Sequence, residues 1–399
     1  MPRPTQTQTI EILTNRPEWQ NVLAYNQLYA RIEARKETPW HYVGPWDDVQ
    51  DTKLVSWLED NKVLVSRDIA IRAAQVVAQE NSFDPLAESL KSIKWDGKER
   101  SAEWLSTYLG AVNTPYTRAV GQKWLISAVA RVFEPGCKVD SCMILEGPQG
   151  MGKSTALSII GGEFYTDEIA EFGSKDAALQ MQRAWIIELA ELDSLTKPEM
   201  SRIKAFMSRS SDSFRPPYSR YVIDSPRHCV FAGTVNHSQY LRDETGNRRF
   251  WPVECVQLDK DALVRDRSQL LAEAYRLYLL GESWWLEDSE VITAAREEQE
   301  KHFDTDVWHD SIASFLCGFE ETSINQILEH CIQKPLERQT QRDKATVGRC
   351  LRVLGWVPAR QRRDGGLKYV YRAPENWSTE KTIGGLTIKS FSDTMLVEK

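Results

Sequence analysis

The sequence lacks the features that would place it in several large classes. None of its apolar runs approaches 18 residues, which argues against a membrane-spanning helix. Its opening, Met1-Pro-Arg-Pro-Thr-Gln-Thr-Gln-Thr9, has no apolar centre of the kind a secretory leader needs. The seven cysteines, at 137, 142, 229, 255, 317, 331 and 350, are odd in number, irregularly spaced and without a CxxC pair. That pattern fits reduced thiols better than a disulfide framework or a zinc site, so a cytoplasmic protein is expected. The chain has no excess of positive charge either: 50 Lys and Arg against 57 Asp and Glu leave a net of −7. No global basic footprint announces a nucleic-acid binder, and any such surface must be local. Internal repeats are absent.

What is present reads as an ordinary globular chain of two to three domains, with 399 residues, 41% hydrophobic and 27% charged. Residues 1–14 look like a loose tail. From 15 to 120 helical spacing dominates: Val55, Leu58, Val63 and Leu64 are followed by Ile69, Ala73, Val76 and Val77. Asp84-Pro85 and Trp95-Asp96-Gly97 read as turns, and 124–133 as an amphipathic helix stopped by Glu134-Pro135-Gly136. Short apolar runs at 141–146, 184–188, 228–236 and 250–255 then alternate with helical patterns at 154–160, 175–182 and 270–280. Strands alternating with helices predict an α/β core over 121–280, a largely parallel sheet covered on both faces. Trp57, Trp104, Trp124 and Trp185 lie in apolar periodic contexts and are expected in the core.

The last third changes character twice. Residues 281–310 carry ten acidic side chains against Arg296 and Lys301, which predicts a solvated helix and linker. His302, Asp304, Asp306 and His309 fall in that run and read as solvated charge rather than a metal cluster. From 334 to 372 the balance reverses, eleven Lys and Arg against three acids. Helix-like segments at 324–332 and 344–354 precede a basic hairpin over 360–372, centred on Asp364-Gly365-Gly366. Helix, helix and basic hairpin describe a winged helix over 311–375, with a tail at 376–399.

One constellation carries chemistry. Gly147, Pro148, Gln149, Gly150, Met151, Gly152, Lys153, Ser154 and Thr155 match the phosphate-binding loop G-x-x-x-x-G-K-[ST]. Glycines let successive backbone N–H groups turn toward phosphate oxygens, and the N-terminus of the following helix adds partial positive charge. Lys153 is expected at the β- and γ-phosphates and Ser154 at magnesium. Hydrolysis further needs an acid at the metal, a group that orients water and a positive charge for the transition state. Glu188 at the end of an apolar strand, Glu191 after it, Asn236 at the end of another strand, and Arg248 and Arg249 occur in that order.

This order resembles superfamily 3 helicases, a branch of the AAA+ P-loop ATPases. More closely, the chain is similar to the virulence-associated E family of phages and mobile elements. The matching phrases are Trp95-Asp-Gly-Lys-Glu-Arg100, Ala128-Val-Ala-Arg-Val-Phe-Glu-Pro-Gly-Cys-Lys138, Ile187-Glu-Leu-Ala-Glu-Leu192, Arg215-Pro-Pro-Tyr218 and Thr245-Gly-Asn-Arg-Arg-Phe-Trp-Pro-Val253. The resemblance implies an ATP- and Mg2+-dependent ring, usually hexameric, that moves on single-stranded DNA during replication, with 15–120 as a collar. It implies Glu188 as the Walker B acid, Asn236 as the sensor, and Arg248 or Arg249 as a finger presented across a subunit boundary. Relatives often place two acids side by side; here Leu189 and Ala190 separate Glu188 from Glu191, so the catalytic base is either of them.

Between these motifs, residues 202–227 hold six basic side chains against Asp212 and Asp224. In similar helicases a hairpin of this segment grips DNA. Lys204, Arg215 and Arg220, with Phe214 and Tyr218, suit phosphate contact and base stacking. Arg362 and Arg363 of the basic hairpin are the candidates for duplex contact, origin DNA included. Two other classes remain open: a nucleotide-switched DNA-binding initiator or defence factor without unwinding activity, and a small-molecule kinase. The basic segment and the winged helix count against the kinase. The first 120 residues hold no acidic cluster of the primase type.

Overall fold

The computed structural model describes residues 5–169, 174–192, 196–215, 221–236, 240, 247–301, 308–363, 366–374, 377, 380–383 and 386–389. Two compact units divide the chain, Met1–Phe303 and Asp304–Lys399. None of the described helices is long and apolar enough to cross a membrane.

The first unit is built on a five-stranded sheet. Its order across the sheet is Phe250–Glu254, Cys142–Glu146, Val230–Val235, Ile186–Leu189 and Tyr165–Thr166, and every neighbouring pair runs parallel. Parallel strands must be covered on both faces, which is why Cys142–Glu146, Ile186–Leu189 and Val230–Val235 are buried at every residue. The expected helices are present with longer bounds: the one expected at 124–133 is Pro115–Phe133, and the one at 270–280 is Lys260–Leu279. Thr114 starts the former with a capping box to Thr117 and Pro115 at its first position, so the extra turns have their own start signal. Trp124 of this helix donates Nε1–H to the Phe231 carbonyl at 3.0 Å, and Trp185 donates to Ala128 at 2.8 Å. Trp104, Trp124 and Trp185 are fully buried, whereas Trp57 is half-buried.

Two expectations for this unit need correction. The stretch after residue 15 is not helical throughout. Leu23–Asn26, Arg31–Ala34 and Gly44–Pro45 form an antiparallel sheet against helices Gln6–Asn15, Asp48–Asp60 and Arg67–Glu80. Asn26 closes the turn by accepting from the N–H groups of Leu28 and Tyr29 at 3.1 and 3.0 Å, a local side-chain bond that periodicity does not register. The acidic stretch contains the expected helix, but that helix is packed rather than wholly solvated. Helix Ser289–Lys301 buries Ala295 and Gln299, and Gln299 donates to the Phe250 carbonyl at 2.8 Å. Glu290, Glu297 and Glu300 are exposed, whereas Glu298 is half-buried. His302, Asp304 and Asp306 lie outside the described residues, and His309 pairs with Asp310 at 3.1 Å.

Helix Lys197–Met207 leads into a hairpin of Ser211–Phe214 and Ile223–Pro226. A buried ion pair ties the hairpin to the sheet. Arg227 donates Nε–H and Nη2–H to Asp212 at 2.6 and 2.8 Å, and Nη1–H to the Phe206 carbonyl at 2.5 Å. Its guanidinium lies 4.3 Å from the Phe206 ring centroid, and its carbonyl accepts from Gly136 N–H and from Arg131.

In the second unit, Ile324–Gln326 continues into a wider turn, Ile327–Cys331, and Gln341–Val353 forms the longer helix. Val357–Arg363 and Gly366–Arg372 pair antiparallel, and Glu321–Thr322 adds a third strand. Asp364 and Gly365, the expected turn, lie outside the described residues. The core gathers Ile312, Leu316, Ile327, Leu328, Val347, Leu351 and Trp356. Where a tail was expected, Glu380–Ile383 pairs with Leu386–Lys389. The sequence puts Gly384-Gly385 between them, a dipeptide suited to a tight hairpin.

Removing one partner of a buried ion pair costs about 3–5 kcal/mol, because the other charge stays buried without compensation. Arg227→Ala is expected to lower the unfolding free energy of the chain by that amount in urea titrations. A loss below about 1 kcal/mol, the size of an exposed pair, would show that the joint is not buried in solution.

Candidate nucleotide site

Strand Cys142–Glu146 runs into the loop Gly147–Gly152, and helix Lys153–Gly161 leaves it. Two glycines are required by space and backbone. A Cβ at Gly147 would meet the Cys255 carbonyl at 2.5 Å, and one at Gly152 would meet Leu258 at 2.7 Å; Gly152 also has a φ of +98°. Gly152 is the helix N-cap and brings no side-chain acceptor to the first turn. A helix N-terminus with a glycine cap has N–H groups and a positive dipole end suited to phosphate oxygens, so these residues fit a polyphosphate.

Four expected residues meet around this loop. Lys153 is 7% exposed and donates from Nζ to the carbonyls of Gly147 at 2.6 Å and Pro148 at 3.0 Å, and to Asn236 Oδ1 at 3.1 Å. Ser154 donates Oγ–H to Glu188 Oε1 at 2.7 Å. Glu188 is 2% exposed and its Oε1 also accepts from Thr234 Oγ1 at 2.5 Å, while Oε2 accepts from the Tyr165 hydroxyl. Burial and the neighbouring Glu188 push the Tyr165 hydroxyl well above its ordinary value, so it remains a donor. A serine hydroxyl and a carboxylate are hard oxygen donors that fit Mg2+, which keeps several waters and phosphate oxygens of its own. Among the described residues no three His, Cys, Asp or Glu side chains form a metal cluster.

The other expected residues lie elsewhere. Glu191 is exposed, on the turn after strand Ile186–Leu189, with a φ of +52°. Arg248 is exposed, and Arg249 donates to Ser208 Oγ at 3.0 Å, with Asp140 3.9 Å away. Both precede strand Phe250–Glu254, which is in register with Cys142–Glu146, so they sit at the opposite end of the sheet from the loop. Five strand residues at about 3.3 Å each separate them from it, roughly 16 Å.

The expected DNA contacts divide. Lys204 is buried and donates to Asn247 Oδ1 at 2.8 Å, and Phe214 is buried too; neither is at the surface, against expectation. The reasons are periodic. Lys204 lies four residues after buried Met200, on the inner face of its helix, and Phe214 shares the inward side of its strand with Asp212. The same alternation leaves Arg215 exposed. Tyr218 and Arg220 lie outside the described residues. Arg362 and Arg363 belong to strand Val357–Arg363, paired with Leu367 and Gly366 at the hairpin's end.

Four residues near the site or on the hairpin were missed from sequence. Tyr165 and Thr234 carry no motif. Tyr221, 77% exposed beside the hairpin, had only its aromatic character in a basic segment as a signal. Glu146, immediately before the loop, is buried and accepts from the Tyr240 hydroxyl at 2.6 Å. Burial, chiefly, with Glu254 and Glu298 adding to it against the Tyr240 bond, pushes its carboxyl up to about 8 from an ordinary 4.5. The folded chain therefore holds this proton to higher pH than the unfolded one. Its contribution to stability is full below pH 4.5 and is lost as pH rises through 8. Glu146→Gln is expected to flatten that part of the profile of urea midpoint against pH; a profile unchanged by the substitution would place the proton elsewhere.

The solved structures similar to this chain include two of one protein region. One is the apo structure of the NrS-1 C-terminal region (305-718), 12% identical, covering 88% of this chain and 96% of that chain at a TM-score of 0.46. The other is the A-form apo structure of the same region, 11% identical with the same coverage at a TM-score of 0.48. At these values the likeness is too loose to transfer any property. No curated protein matches the chain. The model of the virulence-associated protein E-like domain matches residues 90–304, which takes in the loop strand, the sheet, the hairpin and both arginines. That is more than half of the sequence, and the chain belongs to the virulence-associated protein E-like family.

Proposed function

We propose that this protein is a DNA-stimulated ATPase of the superfamily 3 type, a translocase or helicase serving replication of a phage or mobile element. In this reading Met1–Phe303 contains a P-loop AAA+ core over 121–280, and Asp304–Lys399 contains a winged helix over 311–375 that contacts duplex DNA. The observation that carries it is the meeting of Lys153, Ser154, Glu188 and Asn236 at the carboxyl ends of adjoining parallel strands. Bound Mg-ATP supplies the phosphoanhydride to be cleaved and an ion that neutralises charge on its oxygens. Lys153, already directed at the loop, holds the β- and γ-phosphates; Ser154 and Glu188 hold the ion; Asn236 orients water. Family membership supports the same reading.

Arg248 and Arg249 support assembly. About 16 Å of strand lies between them and their own loop, so as fingers they serve a neighbour's site. A ring, hexameric by resemblance, meets that requirement. Arg215 and Tyr221, exposed beside the hairpin, are the described residues best suited to single-stranded DNA, with charge for phosphate and a ring for stacking.

The test is the steady-state ATPase rate across protein concentration, with and without single-stranded DNA. The rate is expected to rise with both and to fall by about 100-fold or more in Lys153→Ala, in line with losing a major electrostatic contact to the transition state. Mixing Lys153→Ala with the double variant Arg248→Ala, Arg249→Ala is expected to restore part of the rate, because mixed interfaces pair an intact loop with an intact finger. A rate indifferent to DNA and concentration, with no recovery on mixing, would leave a single-chain nucleotide switch.

A further inference from the structure

Glu188 is held by more hydroxyl groups than the loop motif accounts for. Ser154, at 2.7 Å from Oε1, belongs to the motif. Thr234, at 2.5 Å from the same oxygen, and Tyr165, on Oε2, do not. Thr234 is buried on strand Val230–Val235, one strand over from Glu188. Tyr165 comes from the edge strand Tyr165–Thr166, in register with Ile186, and reaches along the sheet to Glu188. The base of its side chain is pressed against the loop helix: a Cβ at Gly161 would meet Tyr165 Cβ at 2.7 Å. The helix that presents Ser154 at its first turn thus packs at its last turn against the residue that presents the Tyr165 hydroxyl.

The arrangement has a consequence for the carboxylate plane. The terminal torsion of a glutamate is broad and soft, so one hydroxyl on one oxygen leaves the plane free to turn. Donors on both oxygens, from strands on either side, stop that rotation. They also satisfy a charge that is costly to hold out of water without hydrogen bonds.

We propose that Tyr165 is a positioning residue for the divalent-ion site: acting through Glu188, with Thr234 as its counterpart, it holds the carboxylate plane so that Oε1 faces Ser154 and the ion meets a preset pair of oxygens. The inference rests on the Mg-ATP reading and adds to it a pair of residues that the loop motif does not contain.

A fluorescent ATP analogue, titrated into the full chain in EDTA and across Mg2+ concentrations, separates nucleotide affinity from its metal-linked part. A hydrogen bond to a charged group corresponds to about tenfold or more in an equilibrium constant. Tyr165→Phe is expected to keep the EDTA affinity within about twofold, well under the value of one hydrogen bond, and to raise the half-saturating Mg2+ about tenfold. Thr234→Val is expected to follow it, and Thr234→Ser, which keeps the hydroxyl, to behave as wild type. Unchanged or tighter Mg2+ dependence in Tyr165→Phe overturns the proposal. So does an equal loss of affinity in EDTA, which marks a general structural role. Wild-type protein that binds no ATP analogue removes the nucleotide reading itself, and wild-type protein that binds it without regard to Mg2+ removes the divalent-ion part of that reading, before any variant is compared.

Discussion

Two buried charges of opposite sign, Lys153 and Glu188, end up beside one loop, and much of the first unit is arranged so that neither is left without partners. Each is almost fully excluded from water. A charge held there without compensation costs several kcal/mol, so the fold must supply dipoles at fixed positions. For Lys153 these are two loop carbonyls and the Asn236 side chain; for Glu188 they are three hydroxyls from three elements. Such a set is possible because the strands are parallel. Their carboxyl ends lie side by side, and residues distant in sequence arrive at one edge with their side chains already ordered.

The parallel arrangement also explains what lies far from that edge. Arg249 precedes a strand whose other end adjoins the loop, so it pairs with Ser208 and Asp140 at the sheet's opposite rim. The hairpin of Ser211–Phe214 and Ile223–Pro226 is fastened by the Asp212 and Arg227 pair. Arg227 stands just ahead of the strand that ends near Asn236, so the basic segment and the candidate sensor share one stretch of chain. Charge follows function class only loosely here. The acidic stretch over 281–310 includes a packed helix, and Lys204, chosen for its charge, is an interior hydrogen-bond donor.

Periodicity and motif reach much of this molecule because they report local physics. The glycine loop was legible since backbone approach demands glycine at 147 and 152 whatever surrounds them. The strands at 142–146, 186–189 and 230–235 were legible because strands buried on both faces are apolar throughout. The hairpin Leu23–Ala34 was not legible: its strands are four residues long and are held by the Asn26 turn and by packing on helix Arg67–Glu80. Phe214 and Lys204 were assigned by chemical type. Which face each occupies depends on neighbours that a count of charges and rings does not contain.

By itself the sequence determined the α/β class, four strands of the parallel sheet with the helices between them, and the glycine loop with its attached lysine and serine. These depend on residues adjacent in the chain, or spaced by the period of a strand or helix. Tertiary structure decided which acid joins that loop. Glu188 and Glu191 are three residues apart and chemically alike, yet one is locked under three hydroxyls and the other stands on an exposed left-handed turn. It also decided that Tyr165 and Thr234 belong to the site, because hydrogen bonds across a sheet join strands whose separation along the chain carries no signal of their meeting.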